Sequence, residues 1–157
     1  MQLNDKNVRE QKFHDELHKN SGVRFENRFY KALKNMFDDF DYEVEKSCKN
    51  KEILDYGCGI GHNMEKFLKF SPKKITGVDV SEVSINKAKK NLNNKDLSKI
   101  NFVHGNCEEL TFEDQSFGLI YGSGILHHLK FDLAFKEISR TLKIGGKVIF
   151  VEPLGTN

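Results

Sequence analysis

The stretch Asp55-Tyr56-Gly57-Cys58-Gly59-Ile60-Gly61-His62-Asn63 places three glycines at alternate positions. Before it runs the strand-like Glu52 to Tyr56, and after it the helical Asn63 to Phe70. Glycine permits positive φ and lets a ligand approach the backbone closely, and a following helix start offers amides to a carboxylate or phosphate. A plain strand-to-helix turn needs one glycine, hardly three. The spacing also separates ligands: a dinucleotide fingerprint G-x-G-x-x-G started at Gly57 would need glycine where His62 stands, which argues against a nicotinamide cofactor.

Working outward, short β-rich runs alternate with helical ones. Glu52 to Tyr56, Lys74 to Val80, Ile100 to His104, Phe117 to Tyr121 and Lys147 to Val151 are the predicted strands. Asn63 to Phe70, Glu82 to Leu92 and Phe131 to Leu142 are the predicted helices. This alternation predicts an α/β sheet of about five parallel strands with helices on both faces, and its resemblance to a Rossmann-like doubly wound sheet implies the order 3-2-1-4-5. Ligands of such sheets bind beyond the carboxyl ends of the strands. Before residue 50, Phe25, Phe29, Leu33 and Phe37 recur every four residues, with Tyr30 and Met36 nearby. That is an amphipathic helix, either packed on the core or acting as a lid. We therefore read 1–50 as an N-terminal helical cap and 51–157 as the core.

The second strand ends in Asp79, 18 residues past Gly61. A carboxylate there can accept from both hydroxyls of a ribose. Alternatively Asp79 caps the next helix, or Ser81 caps it while Asp79 favours its dipole.

An acidic residue leading the glycines, D-x-G-x-G-x-G, resembles the first motif of class I S-adenosylmethionine-dependent methyltransferases. From about Lys51 to Pro153 the chain is similar to their small-molecule branch, which includes the ubiquinone and menaquinone methylases. The resemblance implies S-adenosylmethionine as cofactor and a small-molecule methyl acceptor. It implies that Asp55, Gly57, Cys58, Gly59 and Gly61 surround the methionine part, with Asp55 near its amino group, and that Asp79 and Val80 meet the ribose. Gly105-Asn106-Cys107 matches the adenine-contacting segment after the third strand, with Asn106 where aspartate is usual. Its amide oxygen could accept from an adenine amino group, or the dipeptide is simply a turn. Gly122 and Ser123 would border the transferable methyl. Gly118 stands where aspartate is frequent, and Leu142-Lys143-Ile144-Gly145-Gly146 resembles a pre-strand turn with Ile144 in place of proline.

His127 and His128 are the acid/base candidates, since imidazole can take a proton from an acceptor hydroxyl near neutral pH. Packing or a helix end is the alternative role for both. Cys58 is read as a small packed residue without chemistry of its own.

Composition narrows the remaining classes. With 38% hydrophobic and 31% charged residues the chain has a globular balance, expected as one domain. No apolar run approaches a membrane span and no signal-peptide core is present, so the expected compartment is the cytoplasm. Cys48, Cys58 and Cys107 form no C-x-x-C pair, and the histidines and acids show no metal-ligand spacing, so neither disulfides nor a metal is expected. The net charge is +2, and residues 1–50 carry ten charges of each sign. Such a balance offers no basic stripe, so no nucleic-acid partner is expected. Family members usually end in an antiparallel hairpin, whereas this sequence stops just past its fifth strand. A fragment or a short relative is expected, with an exposed fifth-strand edge inviting a homodimer.

Overall fold

A computed structural model of the chain describes residues 34–93 and 97–152, together with residues 8, 9 and 12. Its elements run α1 (Lys34–Cys48), β1 (Glu52–Tyr56), α2 (His62–Leu68), β2 (Lys74–Asp79), α3 (Glu82–Asn91), β3 (Ile100–His104), β4 (Phe117–Ser123), α4 (Phe131–Thr141) and β5 (Leu142–Val151). Short 3-10 turns at Leu97–Lys99 and Leu126–His128 precede β3 and α4. The five strands form one sheet in the order β3-β2-β1-β4-β5, all pairings parallel, as the alternating pattern predicts.

Successive side chains on a strand point to opposite faces, and both faces are buried here. Ile53, Ile75, Leu119 and Tyr121 pack with Phe40, Val44 and Cys48 of α1, Met64 and Phe67 of α2, and Ile85 of α3. Leu54, Tyr56, Val78 and Ile120 pack on the other face with Ala134 and Ile138 of α4. Near-continuous burial along β1 and β4 reflects this two-sided covering.

α1 buries Phe40, Val44 and Cys48, spaced by four residues, so one stripe faces the sheet. Met36 and Phe37 also lie against this core. The remaining members of the predicted aromatic stripe, Phe25, Phe29, Tyr30 and Leu33, lie outside the described residues.

The fifth strand departs from expectation. It begins at Leu142 rather than Lys147, because Leu142 already pairs with Phe117. The register then breaks: Leu119 pairs with Lys147, so two residues along β4 match five along β5. The extra residues bulge outward at Gly145, with φ +74, and at Ile144, which is 91% exposed. The expected turn glycines thus lie inside the strand as a bulge. Among the described residues β5 is an edge of the sheet. No described helix is long and apolar enough to cross a membrane.

Candidate functional site

The glycine loop leaves β1 and is fastened to the end of β2. The amides of Gly57 and Cys58 both donate to the Val78 carbonyl at 2.9 Å, and Gly61 N–H donates to Cys58 O at 3.0 Å. Gly57, Gly59 and Gly61 all have positive φ, at 78°, 52° and 84°, so the alternate spacing has a backbone cause. Their surroundings differ. A Cβ at Gly57 would meet Ile125 at 2.6 Å, and one at Gly61 would meet Leu92 at 2.7 Å, but nothing lies within 4 Å of a Cβ built at Gly59. The middle of the loop therefore borders open space while its two ends are packed. The closeness of Gly57 to Ile125 also brings the loop against the segment that follows β4.

Asp79 holds this loop directly. Its Oδ2 accepts from Gly59 N–H at 2.8 Å and its Oδ1 from Ser81 N–H at 2.9 Å. Ser81, not Asp79, caps α3, its hydroxyl accepting from Ser84 N–H at 3.0 Å. A carboxylate can accept more than two hydrogen bonds, so this tether is compatible with the ribose contact expected of Asp79. Beside it, half-buried Val80 turns its carbonyl to the His104 Nε2, 3.0 Å away. On the far side, Asn91 donates to the Ile60 carbonyl at 3.2 Å.

Asp55 lies deeper. It is 1% exposed, and register pairs it with Tyr121 of β4, whose hydroxyl donates to its Oδ2 at 3.1 Å. Burial pushes the Asp55 carboxyl up to about 8; the Tyr121 hydrogen bond opposes this, and the neighbouring charge of Asp79 adds to it. Opposite Asp55 on β2 stands Gly77, where a Cβ would fall 2.5 Å from Met64 Sδ and 2.7 Å from Cys58 Sγ. Absence of that side chain lets the loop and α2 settle onto the sheet. Burial raises the thiols of Cys58 and Cys107 well above their ordinary range, so both are neutral packing groups.

Beyond β3, Asn106 is buried and its Oδ1 accepts from Glu108 N–H at 2.9 Å. The amide oxygen expected to face adenine thus already serves an Asx-type turn. Cys107 is tied to β1 through its carbonyl, which accepts from the buried Tyr56 hydroxyl at 2.5 Å. At the end of β4, a Cβ at Gly122 would fall 2.4 Å from the Phe150 ring and 2.8 Å from Tyr56 O. Half-buried Ser123 pairs with Val151, after which Gly124, with φ +63, turns the chain.

His127 and His128 occupy the 3-10 turn that follows, their ring centroids 3.9 Å apart. His127 is exposed, His128 half-buried. Glu152, just past β5, was not singled out from sequence, yet it organises this turn. Its Oε1 accepts from the amides of Ile125 and Leu126, each at 2.9 Å, while its Oε2 lies 2.6 Å from His127 Nδ1. An acidic residue at the carboxyl end of a predicted strand was the available signal. Between α1 and this strand end lies a groove of about 300 Å³, with Met36, Phe40, Ile149 and Phe150 among its apolar lining and Asp39, Glu43 and Glu152 among its acids. No group of three or more His, Cys, Asp or Glu placed to hold a metal occurs among the described residues.

The profile of the methyltransferase domain family matches residues 54–150, from β1 through β5. The chain is 36% identical over 130 residues to the sterol 4-C-methyltransferase strm-1 of Caenorhabditis elegans, covering 80% of this chain and 38% of that protein. It is 34% identical over 107 residues to the demethylmenaquinone methyltransferase of Staphylococcus aureus, covering 66% of this chain and 44% of that one. Among solved structures, the YcgJ protein of Bacillus subtilis superposes with a TM-score of 0.68 at 26% identity, over 74% of this chain and 50% of that one. The chain spans less than half the length of these curated relatives. With the family profile spanning more than half of the sequence and the expected sheet order beneath it, this chain belongs to the methyltransferase domain family, in its class I, S-adenosylmethionine-dependent form.

Proposed function

We propose that the chain binds S-adenosylmethionine along the glycine loop and transfers its methyl group to a small-molecule acceptor. The observation that carries this reading is the loop itself: three positive-φ glycines, the outer two packed and the middle one bordering open space, tethered to the carboxylate of Asp79. A side chain at Gly59 would fill that space, which suits a ligand lying against backbone. Asp79 would hold the ribose, Asp55 would face the methionine ammonium from below, and Gly122 with Ser123 would border the methyl. The bound cofactor supplies a methyl already activated by a positively charged sulfonium. What the protein adds is chiefly alignment, which can contribute several kcal/mol of the barrier. If the acceptor is a hydroxyl, His127 is the group placed to take its proton.

The acceptor, in this reading, enters the groove beside Glu152, whose apolar lining of Met36, Phe40, Ile149 and Phe150 favours a largely hydrophobic molecule. α1 takes part in this site, since Met36 and Phe40 on the groove come from it. The balanced charge disfavours nucleic acid as partner, and the expected compartment is the cytoplasm. The test is transfer of a labelled methyl from S-adenosylmethionine to a metabolite pool by the purified chain. Label in a small-molecule product supports the reading. Cofactor binding without transfer favours a second one, a cofactor-binding module completed by further residues or another chain. Neither binding nor transfer would refute both.

A further inference from the structure

We infer that Glu152 is a positioning residue that fixes the proton of His127 on Nδ1 and so leaves Nε2 as the base. The inference rests on the methyl-transfer reading above, and adds to it a residue just past β5. Glu152 Oε1 accepts two backbone amides, from Ile125 and Leu126, at 2.9 Å each, while Oε2 faces His127 Nδ1 at 2.6 Å and accepts a longer contact from the His127 amide at 3.4 Å. An ionised carboxylate can only accept, so a hydrogen bond to Nδ1 requires the proton to sit on that nitrogen. In the neutral ring the Nε2 lone pair is then available for a proton.

The same carboxylate fixes where the ring is. Its amide contacts anchor the 3-10 turn Leu126–His128 to the end of β5, and the turn carries His127. Gly124, with φ +63, lets the chain reverse directly after β4, and its amide bonds Val151 O at 2.8 Å. Glu152 also lines the groove between α1 and β5. The histidine is thus held beside the groove by a charge that belongs to the groove wall.

The chemistry follows with balanced atoms. As the carbon–sulfur bond of the sulfonium breaks and a carbon–oxygen bond to the acceptor forms, the electron pair of the broken bond stays on sulfur as a neutral thioether. The acceptor hydroxyl proton passes to His127 Nε2, and the resulting imidazolium lies against the Glu152 carboxylate, which offsets its charge. Without Glu152 the ring could carry its proton on Nε2 and would meet the acceptor as a donor.

Glu152→Gln separates this role from a structural one. Two close backbone N–H groups face Oε1, whereas Oε2 meets only the longer His127 N–H beside Nδ1, so the glutamine oxygen stays at the Oε1 position, where its amino group would oppose two donors at 2.9 Å. Its NH₂ then points at Nδ1, which can only accept, and the ring proton is driven to Nε2. The readout is ¹⁵N NMR of the ring nitrogens at alkaline pH, with the His127 signals assigned by their loss in His127→Asn. The unsubstituted chain should have Nδ1 protonated and Nε2 bare; Glu152→Gln should reverse this while S-adenosylhomocysteine affinity and the unfolding midpoint stay near their original values. Turnover on a hydroxyl acceptor should fall roughly 100-fold in kcat, the scale of a lost general base, with the KM for S-adenosylmethionine unchanged. A proton on Nε2 in the unsubstituted chain, or equal turnover in both chains, would overturn the inference. Failure of the unsubstituted chain to bind S-adenosylhomocysteine would overturn the reading beneath it, and is distinguishable because the tautomer is measured without ligand.

Discussion

Asp55 should make the ligand-free protein lose stability as pH rises, and Asp55→Asn should abolish that loss. The carboxyl is buried and its affinity for a proton is raised from 3.8 to about 8, chiefly by desolvation. Folded chains therefore hold this proton to a higher pH than unfolded ones do. The contribution to stability is complete below about pH 4 and is lost progressively until about pH 8. At pH 7 the unfolded carboxyl is ionised over 3.2 pH units above its midpoint (7 minus 3.8), which at 1.36 kcal/mol each costs the fold about 4 kcal/mol. Asparagine is nearly isosteric, cannot ionise, and keeps an oxygen to accept from the Tyr121 hydroxyl. Urea denaturation of both chains at pH 5 and pH 7 isolates the effect, since other titrating groups cancel in the difference. Asp55→Asn should gain on the parent by about 2 to 3 kcal/mol between those two pH values. Parallel pH dependences would refute the reasoning and mean that Asp55 is ionised normally in the fold. The same variant should bind S-adenosylhomocysteine about tenfold more weakly, because a neutral amide pairs poorly with an ammonium. A buried carboxyl that costs stability until a cation arrives is a common compromise at binding sites.

Other substitutions test the scaffold. Gly77→Ala should destabilise by about 1–3 kcal/mol in urea, because its Cβ would overlap the buried side chains of Met64 at Sδ and Cys58 at Sγ and Cβ. Arg140→Ala should cost about 2–3 kcal/mol. The guanidinium donates to the carbonyls of Leu110 and Phe112 and pairs with Glu137, whose carboxyl it holds below the usual range. The loss should appear in hydrogen exchange as faster opening of residues 108–116, the loop these bonds pin to α4. Ser81→Ala should cost about 1 kcal/mol, the usual value of an N-cap, measured by the thermal midpoint.

What sequence could and could not reveal follows from the range of the interactions. β1 and β3 were legible to the residue because each is a short run set between charged or turn-forming neighbours. β4 extends to Ser123, past the expected Tyr121, because Gly122 and Ser123 find partners in Phe150 and Val151, a pairing that depends on strand order. α2 ends at Leu68, not Phe70, since the last residues close a turn through Phe70 N–H and Phe67 O. The glycine loop announced itself because its φ values demand a residue type. Gly77 did not: inside an apolar strand a glycine needed for close packing looks like any small residue. Asp55 and Asp79 were readable as acids at strand ends, but the Tyr121 hydroxyl beneath one and the Gly59 amide on the other come from register and loop geometry. Glu152 is the extreme case. Its partners Ile125, Leu126 and His127 lie at least 25 residues away, and only the β4–β5 pairing brings them together.

Titration calorimetry of S-adenosylhomocysteine and NAD against the unsubstituted chain and Gly59→Ala reads directly whether the glycine loop holds the cofactor. Gly59 has φ +52 and no atom within 4 Å of its missing Cβ. Alanine there should cost only about 1–2 kcal/mol of backbone strain, and the fold should survive. The added methyl would stand in the space assigned to the cofactor. The account predicts saturable binding of S-adenosylhomocysteine by the unsubstituted chain, little affinity for NAD, and at least tenfold weaker S-adenosylhomocysteine binding by a folded Gly59→Ala. Equal affinity for both ligands, or undiminished binding by the variant, would contradict it.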